Sequence, residues 1–301
     1  MTFVPDPGEH HLVSICIPTF DAGRFLADAL DSARQQTYRT VEIIVVDNCS
    51  QDGSFELAEA AAHSDPRIRL HRNASNLGMQ RNFSRCLELS RGEYVKFLPA
   101  DDVLERDCVA RLAAVLDEQP AVALVASARR IVDEALRERG VKGYARRDVN
   151  APGKTAIRRA YVLGNVIGEP TAALFRRSAL DAVSDYYTQL LDLDMWFRIL
   201  EHGDFAFVAE PLCKIRTHPR QFTHANARST QILDERVQLF RDYSGREFLR
   251  LNGFERLVWD LRLLRWWRRT GFETAPATVH SALYLPWPGA VLAAARAASR
   301  R

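Results

Sequence analysis

The feature that most constrains this chain is a short apolar run followed directly by two carboxylates. Residues 94–98 are aromatic or aliphatic apart from Lys96, which is typical of a buried strand in a mostly parallel sheet. Pro99 ends the run, and Asp101 and Asp102 follow it. Acids at the carboxyl end of a central strand lie in the crevice where open α/β sheets bind ligands. Two carboxylates there suit a hard divalent cation and, through it, a phosphate-bearing ligand.

The acid pair also has a purely structural interpretation. Asp102 could be the N-cap of a helix that runs from Val103 through Leu116. The pair taken alone leaves both interpretations open, and the surrounding chain has to decide between them.

Strand and helix patterns alternate before the acid pair. Apolar runs predict strands, and helical periods predict the helices between them, in the order 12–17, 22–36, 41–46, 55–63, 68–71 and 79–90. This alternation with short links predicts βαβ units, hence an α/β fold with a mostly parallel central sheet flanked by helices. Beyond the pair the pattern predicts a helix at 103–119, an irregular charged segment at 129–149, and strands at 122–127 and 205–209.

Composition excludes several classes of protein. A hydrophobic content of 47% and a charged content of 26% are typical of a soluble globular chain, and a net charge of +3 is too small to indicate a nucleic-acid partner. The cysteines are scattered without a CxxC pair, which predicts reduced, buried thiols and a cytoplasmic location. No apolar stretch approaches the roughly 20 residues of a membrane span, and the segment 1–10 lacks the apolar core of a signal peptide.

Two common phosphate-binding loops are missing. The residues after the first predicted strand, Pro18–Gly23, do not form GxGxxG, which argues against an NAD-dependent enzyme. No GxxxxGK[ST] motif occurs either. Phosphate charge would therefore be neutralised by other means, and the acid pair with a metal is the available candidate.

Four pieces of the chain, in order, resemble the inverting glycosyltransferases of family 2, which have the GT-A fold. They are residues 13–20, 45–54, 76–83 and 92–102. The resemblance implies a transferase that moves a sugar from a nucleoside-diphosphate sugar, with uridine as the usual base, to a glycan or lipid-linked acceptor. It further implies a role in cell-surface polysaccharide synthesis.

The resemblance also implies a donor pocket. Pro18 and Thr19 would line the base site, Asp47 would contact the base or ribose, and Arg81 would support the pocket. The structural alternatives are an Asx turn at Asp47 and a solvated helix face for Arg81 and its neighbour Asn82.

The metal site implied by the resemblance takes Mn²⁺ or Mg²⁺. Asp101 and Asp102 match the tail of the family's metal motif, with Asp101 also contacting the donor, and His218 stands in a closing Arg-x-His segment. Pro99 occupies a position where the family often has an aspartate, which puts the ribose contact in question. A surface histidine beside a proline is the alternative interpretation of His218.

The acceptor side is implied by two further segments. Gly168, Glu169 and Pro170 match a loop that borders the acceptor. Asp192 aligns with the general base, with Asp194 as the fallback, and Leu191 stands where a glutamate is usual. The alternative makes Asp192 a helix N-cap and Asp194 one half of an i,i+4 ion pair with Arg198.

The composition changes near residue 226, so we predict a catalytic domain at 1–225 and a helical, arginine- and tryptophan-rich extension at 226–301. The composition of this extension predicts either a cap on the catalytic domain or a basic surface that binds the cytoplasmic face of an anionic membrane. No nucleic-acid-binding motif accompanies the arginines. A non-catalytic nucleotide-sugar or glycan-binding relative remains the alternative function, motivated by Pro99 and Leu191.

Overall fold

The computed structural model describes residues 11–219, 221 and 231–270. The strands are β1 Val13–Thr19, β2 Val41–Asp47, β3 Ile68–Arg72, β4 Tyr94–Phe97, β5 Val103–Leu104, β6 Val122–Val132, β7 Glu138–Lys142, β8 Val149–Ala151, β9 Ala173–Arg176 and β10 Asp204–Arg216. The helices are α1 Phe25–Arg34, α2 Ser54–Ser64, α3 Met79–Leu89, α4 Cys108–Glu118, α5 Gly153–Leu163, α6 Leu191–Leu200, α7 Gln231–Ser244 and α8 Gly253–Thr270.

One sheet joins the strands in the order β3-β2-β1-β4-β9-β6-β10-β5, with β7 added beside β6 and β8 beside β10. Strands β1 to β4 are parallel, whereas β9 runs antiparallel between β4 and β6. The predicted buried strand, β4, lies in the middle of this order and all four of its residues are buried. The α/β fold with helices flanking a central sheet is therefore confirmed.

Apolar residues on the two faces of the sheet form two cores. Strands β1 and β2 are buried along almost their whole length, so they bury side chains on both faces of the sheet. One core packs the sheet against α1, α2 and α4, and the other packs it against α3, α5, α6, α7 and α8. All five cysteines are free thiols and four of them are buried, as predicted.

The predicted helix at 103–119 is wrong at its start. Val103 and Leu104 form β5, which pairs antiparallel with Cys213 and Lys214 of β10, and α4 begins at Cys108. The local sequence has a helical period, but pairing with a distant strand overrides it. Asp102 is consequently not the N-cap of this helix.

The predicted irregular segment at 129–149 is also wrong. Strand β6 continues to Val132 and turns into β7, while β10 extends to Arg216 rather than ending at residue 209. The charges that suggested a loop are accommodated in pairs at the sheet surface. Arg130, for example, contacts both Glu105 and Glu138.

The described part of the C-terminal extension packs as a cap. Leu233 and Phe240 of α7 and Trp259 of α8 belong to the same apolar core as α5 and α6. The predicted domain boundary after residue 225 stays a prediction. The segment 1–10, the arginines 296, 300 and 301, and the side chains of 267–270 lie outside the described residues. Within the described ranges, none of the helices is both long and apolar enough to span a bilayer.

Candidate active site

The carboxyl ends of three neighbouring strands meet at one edge of the sheet. Thr19 at the end of β1 pairs in register with Asp47 at the end of β2. The segment that follows β4 stays alongside β1, because the Leu98 N–H donates to the carbonyl oxygen of Cys16 at 2.8 Å. The structure thus brings Thr19, Asp47 and the segment leading to the acid pair to one edge, where open α/β sheets bind ligands.

Asp47 is buried with one oxygen unused. Its Oδ2 accepts the Ser50 N–H at 3.1 Å and lies 3.4 Å from Nε of Arg72. The first contact joins residues three apart and stabilises the turn after β2, whereas the Asx turn foreseen as an alternative joins residues two apart. Its Oδ1 is buried and has no hydrogen-bond partner among the described residues. A buried acceptor without a donor is costly, so this atom is suited to receive one from a ligand.

A group of asparagines fixes the loops around this edge. Asn82 of α3 is buried and donates to the carbonyl oxygen of Val46 at 3.1 Å, while its Oδ1 accepts from Asn73. Asn48 accepts from Asn73 and donates to Asn76. The solvated-face interpretation of Asn82 is therefore wrong. These residues position the loops after β2 and β3.

Arg81 stands apart from the buried part of this edge. Its side chain is 66% exposed, and its nearest acid is Asp185 at 4.0 Å. An exposed guanidinium of this kind contributes little to stability and is available to a ligand.

Asp101 and His218 come together from positions 117 residues apart. The Nε2 of His218 lies 3.2 Å from Oδ2 of Asp101, and the Asp101 carboxylate is partly exposed. The His218 ring packs against Phe25 with ring centroids 4.8 Å apart. This is a carboxylate oxygen and an imidazole nitrogen held at one point beside the sheet edge.

Asp102 points the other way and is 3% exposed. Its Oδ1 accepts the Arg216 N–H at 3.0 Å, and its Oδ2 accepts the Thr171 hydroxyl. Burial and the neighbouring Asp101 charge raise the pKa of Asp102 well above its ordinary value. The structure therefore does not bring Asp102 to the exposed point that Asp101 and His218 share.

Arg216 joins the acid pair to the rest of the fold, a role that the sequence did not reveal. Its guanidinium donates to the carbonyl oxygen of Asp101 at 2.8 Å, to Asp28 of α1 at 2.6 Å and to the carbonyl oxygen of Glu134. Together with the bond from its backbone N–H to Asp102, this holds the turn after β4 against β10.

A buried lysine links the acid pair to the predicted acceptor loop. Lys96 of β4 is fully buried and donates to the carbonyl oxygen of Thr171, whose hydroxyl donates to Asp102. Thr171 follows Gly168, Glu169 and Pro170 directly. Asp102 and the loop that is predicted to border the acceptor are thus held together through Thr171.

Asp192 lies at the start of α6 with a strongly perturbed carboxyl group. Burial, reinforced by the negative charge of Glu169, raises its pKa to about 7. Because the N-cap position is Leu190, the helix-cap interpretation of Asp192 is wrong. A carboxylate with a pKa near neutrality is suited to accept a proton in a reaction at pH 7.

Asn165 orients this carboxylate, which the sequence did not predict. Its Nδ2 donates to Oδ2 of Asp192 at 2.6 Å and to the carbonyl oxygen of Gly168 at 3.0 Å, while its Oδ1 accepts the Gly168 N–H at 3.0 Å. Trp196 also donates to the Gly168 carbonyl at 2.8 Å. One amide therefore fixes both Asp192 and the loop at 168–170.

Glu169 of that loop contacts the buried Arg129, which lies at the middle of β6. Gly168 has a φ of +131°, and a Cβ there would lie 3.1 Å from Nη1 of Arg129. Glycine at this position therefore lets the arginine lie against the loop.

Asp194, the fallback candidate for the general base, is engaged in an ion pair. Its carboxylate is 2% exposed and accepts from Nε of Arg198 at 2.8 Å, which is the i,i+4 ion pair foreseen as the alternative. Burial raises its pKa to about 6 despite the arginine. Of the two acids, Asp192 has the position and the contacts that suit a base.

A mostly parallel sheet flanked by helices, with polar groups at the carboxyl ends of its strands, matches the architecture of glycosyltransferases with the GT-A fold. The family model described as glycosyl transferase family 2 matches residues 14–184. The chain belongs to glycosyl transferase family 2, and it is therefore a glycosyltransferase rather than an NAD-dependent enzyme. An uncharacterized protein of Mycobacterium tuberculosis is 34% identical over 238 residues, which is 74% of this chain and 73% of that protein.

Further relatives and solved structures are also glycosyltransferases. The putative glycosyltransferase EpsE of Bacillus subtilis is 27% identical over 68% of this chain and 72% of its own. Staphylococcus aureus TarS, solved in complex with UDP-GlcNAc, has a TM-score of 0.60 at 17% identity, over 90% of this chain and 83% of that one. The Pyrobaculum calidifontis mannosyltransferase PcManGT, solved with GDP-Man and Mn²⁺, has a TM-score of 0.58 at 19% identity, over 98% and 82%.

Proposed function

We propose that this glycosyltransferase uses a nucleoside-diphosphate sugar and a divalent cation, and transfers the sugar with inversion to a glycan or lipid-linked acceptor of cell-surface polysaccharide synthesis. The observation that carries the proposal is the contact between Asp101 and His218, on the same sheet edge as Asp47. An oxygen and a nitrogen of the kinds that bind metal would then lie at the same sheet edge as the buried Oδ1 of Asp47, which has no donor among the described residues.

The nucleobase of the donor would lie over Pro18 and Thr19, and Oδ1 of Asp47 would accept an N–H from the edge of that nucleobase. A uracil imide or a guanine edge could each supply that donor, and uridine is the base we propose. Complexes of the fold neighbours TarS and PcManGT, with UDP-GlcNAc and GDP-Man, support a nucleotide sugar in this class. Arg81 is free to reach the donor phosphates.

Mn²⁺ or Mg²⁺ would be held by Asp101 and His218, with diphosphate oxygens as further ligands. An oxygen and a nitrogen donor suit Mn²⁺ in particular. In the described residues, no group of three or more His, Cys, Asp or Glu side chains is arranged to hold a metal by itself, so the donor would have to complete the site. When bound, the cation supplies positive charge that stabilises the departing diphosphate.

Asp192 would act as the general base. An acceptor hydroxyl gives its proton to the carboxylate as its oxygen attacks the anomeric carbon. The bond from that carbon to the diphosphate oxygen breaks, and the nucleoside diphosphate leaves with the electron pair. Asn165 would hold the carboxylate in place, and the loop Gly168–Pro170 would border the acceptor.

We further propose that α8 touches the cytoplasmic face of an anionic membrane. Its outward side exposes Phe254, Leu257 and Leu261 at 74%, 42% and 50%, at spacings that align them on one helix face. Arg265 is exposed one turn further along. Apolar side chains beside a cation suit the interface of an anionic bilayer.

The direct test is a panel of nucleotide sugars screened by thermal shift with and without Mn²⁺. Because a ligand at 100 times its Kd stabilises the native state by about 2.7 kcal/mol, a matching donor should raise the melting temperature clearly. The expected result is a shift that needs Mn²⁺ and is lost in Asp101→Asn. A metal-independent shift, or none with any nucleotide sugar, would overturn the proposal.

A further inference from the structure

A buried ion pair between Arg129 and Glu169 lies beside the proposed base and has no part in the proton transfer described for Asp192. Arg129 projects from β6 and is 3% exposed, and its Nε contacts Oε2 of Glu169. In the described part of the chain, Glu169 is the only acid that forms an ion pair with Arg129. The attraction within a buried ion pair seldom exceeds the cost of taking both charges out of water, so such a pair at a site points to a role beyond stability.

The loop that carries Glu169 is bonded to the same amide group as the base. Nδ2 of Asn165 donates to Oδ2 of Asp192 at 2.6 Å and to the carbonyl oxygen of Gly168 at 3.0 Å. Because Gly168 directly precedes Glu169, these bonds hold the backbone of Glu169 close to the base. The Glu169 carboxylate is held at the other end by Arg129.

Arg129 is itself fixed between the sheet and this loop. Its position on β6 lies opposite Cys213 of β10 and Lys142 of β7. On the loop side, a Cβ at Gly168 would lie 3.1 Å from Nη1 and 3.2 Å from Cζ of Arg129. The guanidinium thus packs directly on the backbone of the loop, which keeps it next to Glu169.

Charged groups from three other elements act on the Asp192 carboxylate. Burial raises the pKa of Asp192, and the negative charge of Glu169 raises it further, whereas the positive charge of Arg129 lowers it by less. The third group is Arg236 of α7: burial and the charge of Arg262 lower its pKa, and the negative charge of Asp192 opposes that shift. Arg129 and Glu169 are joined to each other, so these two act on Asp192 as a pair.

We propose that Arg129 and Glu169 are positioning residues that set the charge of the general base. Glu169 repels the negative charge on Asp192 and thereby increases its affinity for a proton. Arg129 holds Glu169 where this repulsion acts and limits its strength. A carboxylate with a higher proton affinity is a stronger base, which suits it to take the proton of a weakly acidic acceptor hydroxyl. The inference rests on the proposed function, since it concerns the residue proposed there as the base.

Carboxyl ¹³C NMR of the aspartate-labelled full chain in metal-free buffer measures the pKa of Asp192 directly, with its signal assigned by its loss in Asp192→Asn. Glu169→Gln should lower that pKa by about one unit or more, because it removes a neighbouring negative charge and leaves Arg129 in place. The double variant Arg129→Gln/Glu169→Gln should lower it by less, because the opposing positive charge is lost as well. If Glu169→Gln does not fold, the double variant carries the test, since it leaves neither charge of the pair buried alone.

The matched control is Glu105→Gln. The Glu105 side chain is 32% exposed, compared with 35% for Glu169. It pairs at 2.7 Å with Arg130, the neighbour of Arg129 on β6. Because successive residues of a strand point to opposite faces of a sheet, this pair lies on the other side of the sheet from Asp192. Glu105→Gln should therefore leave the pKa of Asp192 unchanged.

Hydrolysis of the nucleotide sugars in the thermal-shift panel, followed as release of the nucleoside diphosphate with Mn²⁺, separates the inference from the proposed function. In Glu169→Gln the pH of half-maximal turnover should fall in step with the pKa of Asp192. Turnover that survives in Asp192→Asn would refute the proposed base. The inference is overturned if Glu169→Gln leaves the pKa of Asp192 unchanged, if Glu105→Gln lowers it equally, or if the pH profile does not follow that pKa, while Asp192→Asn is inactive.

Discussion

Arg216 and Asp102 lie 114 positions apart, and the backbone N–H of Arg216 donates to Oδ1 of Asp102 at 3.0 Å. The same arginine donates through its side chain to the carbonyl oxygen of Asp101. Two residues later the chain supplies His218 to the Asp101 carboxylate. The end of β10 therefore shapes the turn that presents Asp101. The residues directly after β10 supply His218, the second member of the pair proposed to bind metal.

Replacing Arg216 with lysine should loosen this arrangement. Lysine keeps the charge but cannot reach Asp28, the Glu134 carbonyl oxygen and the Asp101 carbonyl oxygen at once, so acceptors in this partly buried cluster lose their donors. We expect a loss of about 2–4 kcal/mol in the free energy of unfolding, measured by urea titration. A control is Arg137→Lys, in an exposed ion pair, which should change stability by less than about 1 kcal/mol. Equal effects would contradict the role assigned to Arg216.

The two neighbouring acids should respond differently to the same substitution. Asp101→Asn should weaken Mn²⁺-dependent UDP binding by about tenfold or more, because a neutral amide is a poorer ligand for a divalent cation. Asp102→Asn should change it by less than about threefold, since an amide can still accept from the Arg216 N–H and bond to Thr171. Calorimetry with and without Mn²⁺ measures both. Equal losses would make Asp102 a metal ligand, as the sequence predicted.

Removing the proposed base should affect turnover far more than donor binding. Asp192→Asn keeps the size of the side chain but cannot accept the acceptor's proton, so kcat should fall by about 10²–10⁴-fold with donor affinity nearly unchanged. Asp194→Asn, which breaks the ion pair with Arg198, is the control and should be milder in kcat. Turnover that survives in the first variant and disappears in the second would assign the base to Asp194.

The raised pKa of Asp192 gives a pH dependence with a definite sign. Activity should rise with pH around an apparent pKa of about 7, because the base must be deprotonated. Stability should follow the opposite course: the folded state holds this proton more tightly than the unfolded state, so the contribution is present at low pH and is lost as pH rises towards 7. Urea titrations at pH 5 and 8 should therefore show Asp192→Asn gaining about 2 kcal/mol or more relative to wild type. A pH-independent difference would contradict the assignment.

The outward face of α8 makes the membrane proposal testable by vesicle sedimentation. Replacing Phe254 and Leu261 by serine should reduce association with phosphatidylglycerol-containing vesicles by about tenfold or more, because both side chains would leave water on binding. Wild-type association should weaken with salt and with neutral lipid. Val141→Ser, another exposed apolar site far along the chain, should have no effect. Equal sedimentation with neutral and anionic vesicles would contradict the proposal.

The parallel half of the sheet was predictable because its signals are local. Strands such as β2 are nearly continuous aliphatic runs that favour one structure whatever lies around them. Strand β5 was missed because Val103 and Leu104 continue a helical period, and only their pairing with Cys213 and Lys214 makes them a strand. Non-local pairing leaves no trace in a short window of sequence.

The same contrast between local signals and distant contacts decides which site residues could be predicted. Asp101, Asp192 and His218 could be proposed because the family resemblance marks their positions. The different environments of Asp101 and Asp102 could not be predicted, because Thr171 and Arg216, which bury the second acid, lie far away in the chain. Asn165 carries no motif, and its role emerges once Gly168 and Asp192 are seen to share its amide.

The origin of His218 after β10 sets an order of events during synthesis. A ribosome makes residue 101 long before residue 218, and β10 is needed to bring them together. A nascent chain released before this point would contain the residues of β1 and β2 that we propose for the donor, but it would lack His218 of the proposed metal pair. If Asp101 and His218 bind the cation as proposed, prematurely terminated chains would lack one of the two ligands, and competence to bind it would arrive only once β10 and the residues after it are made.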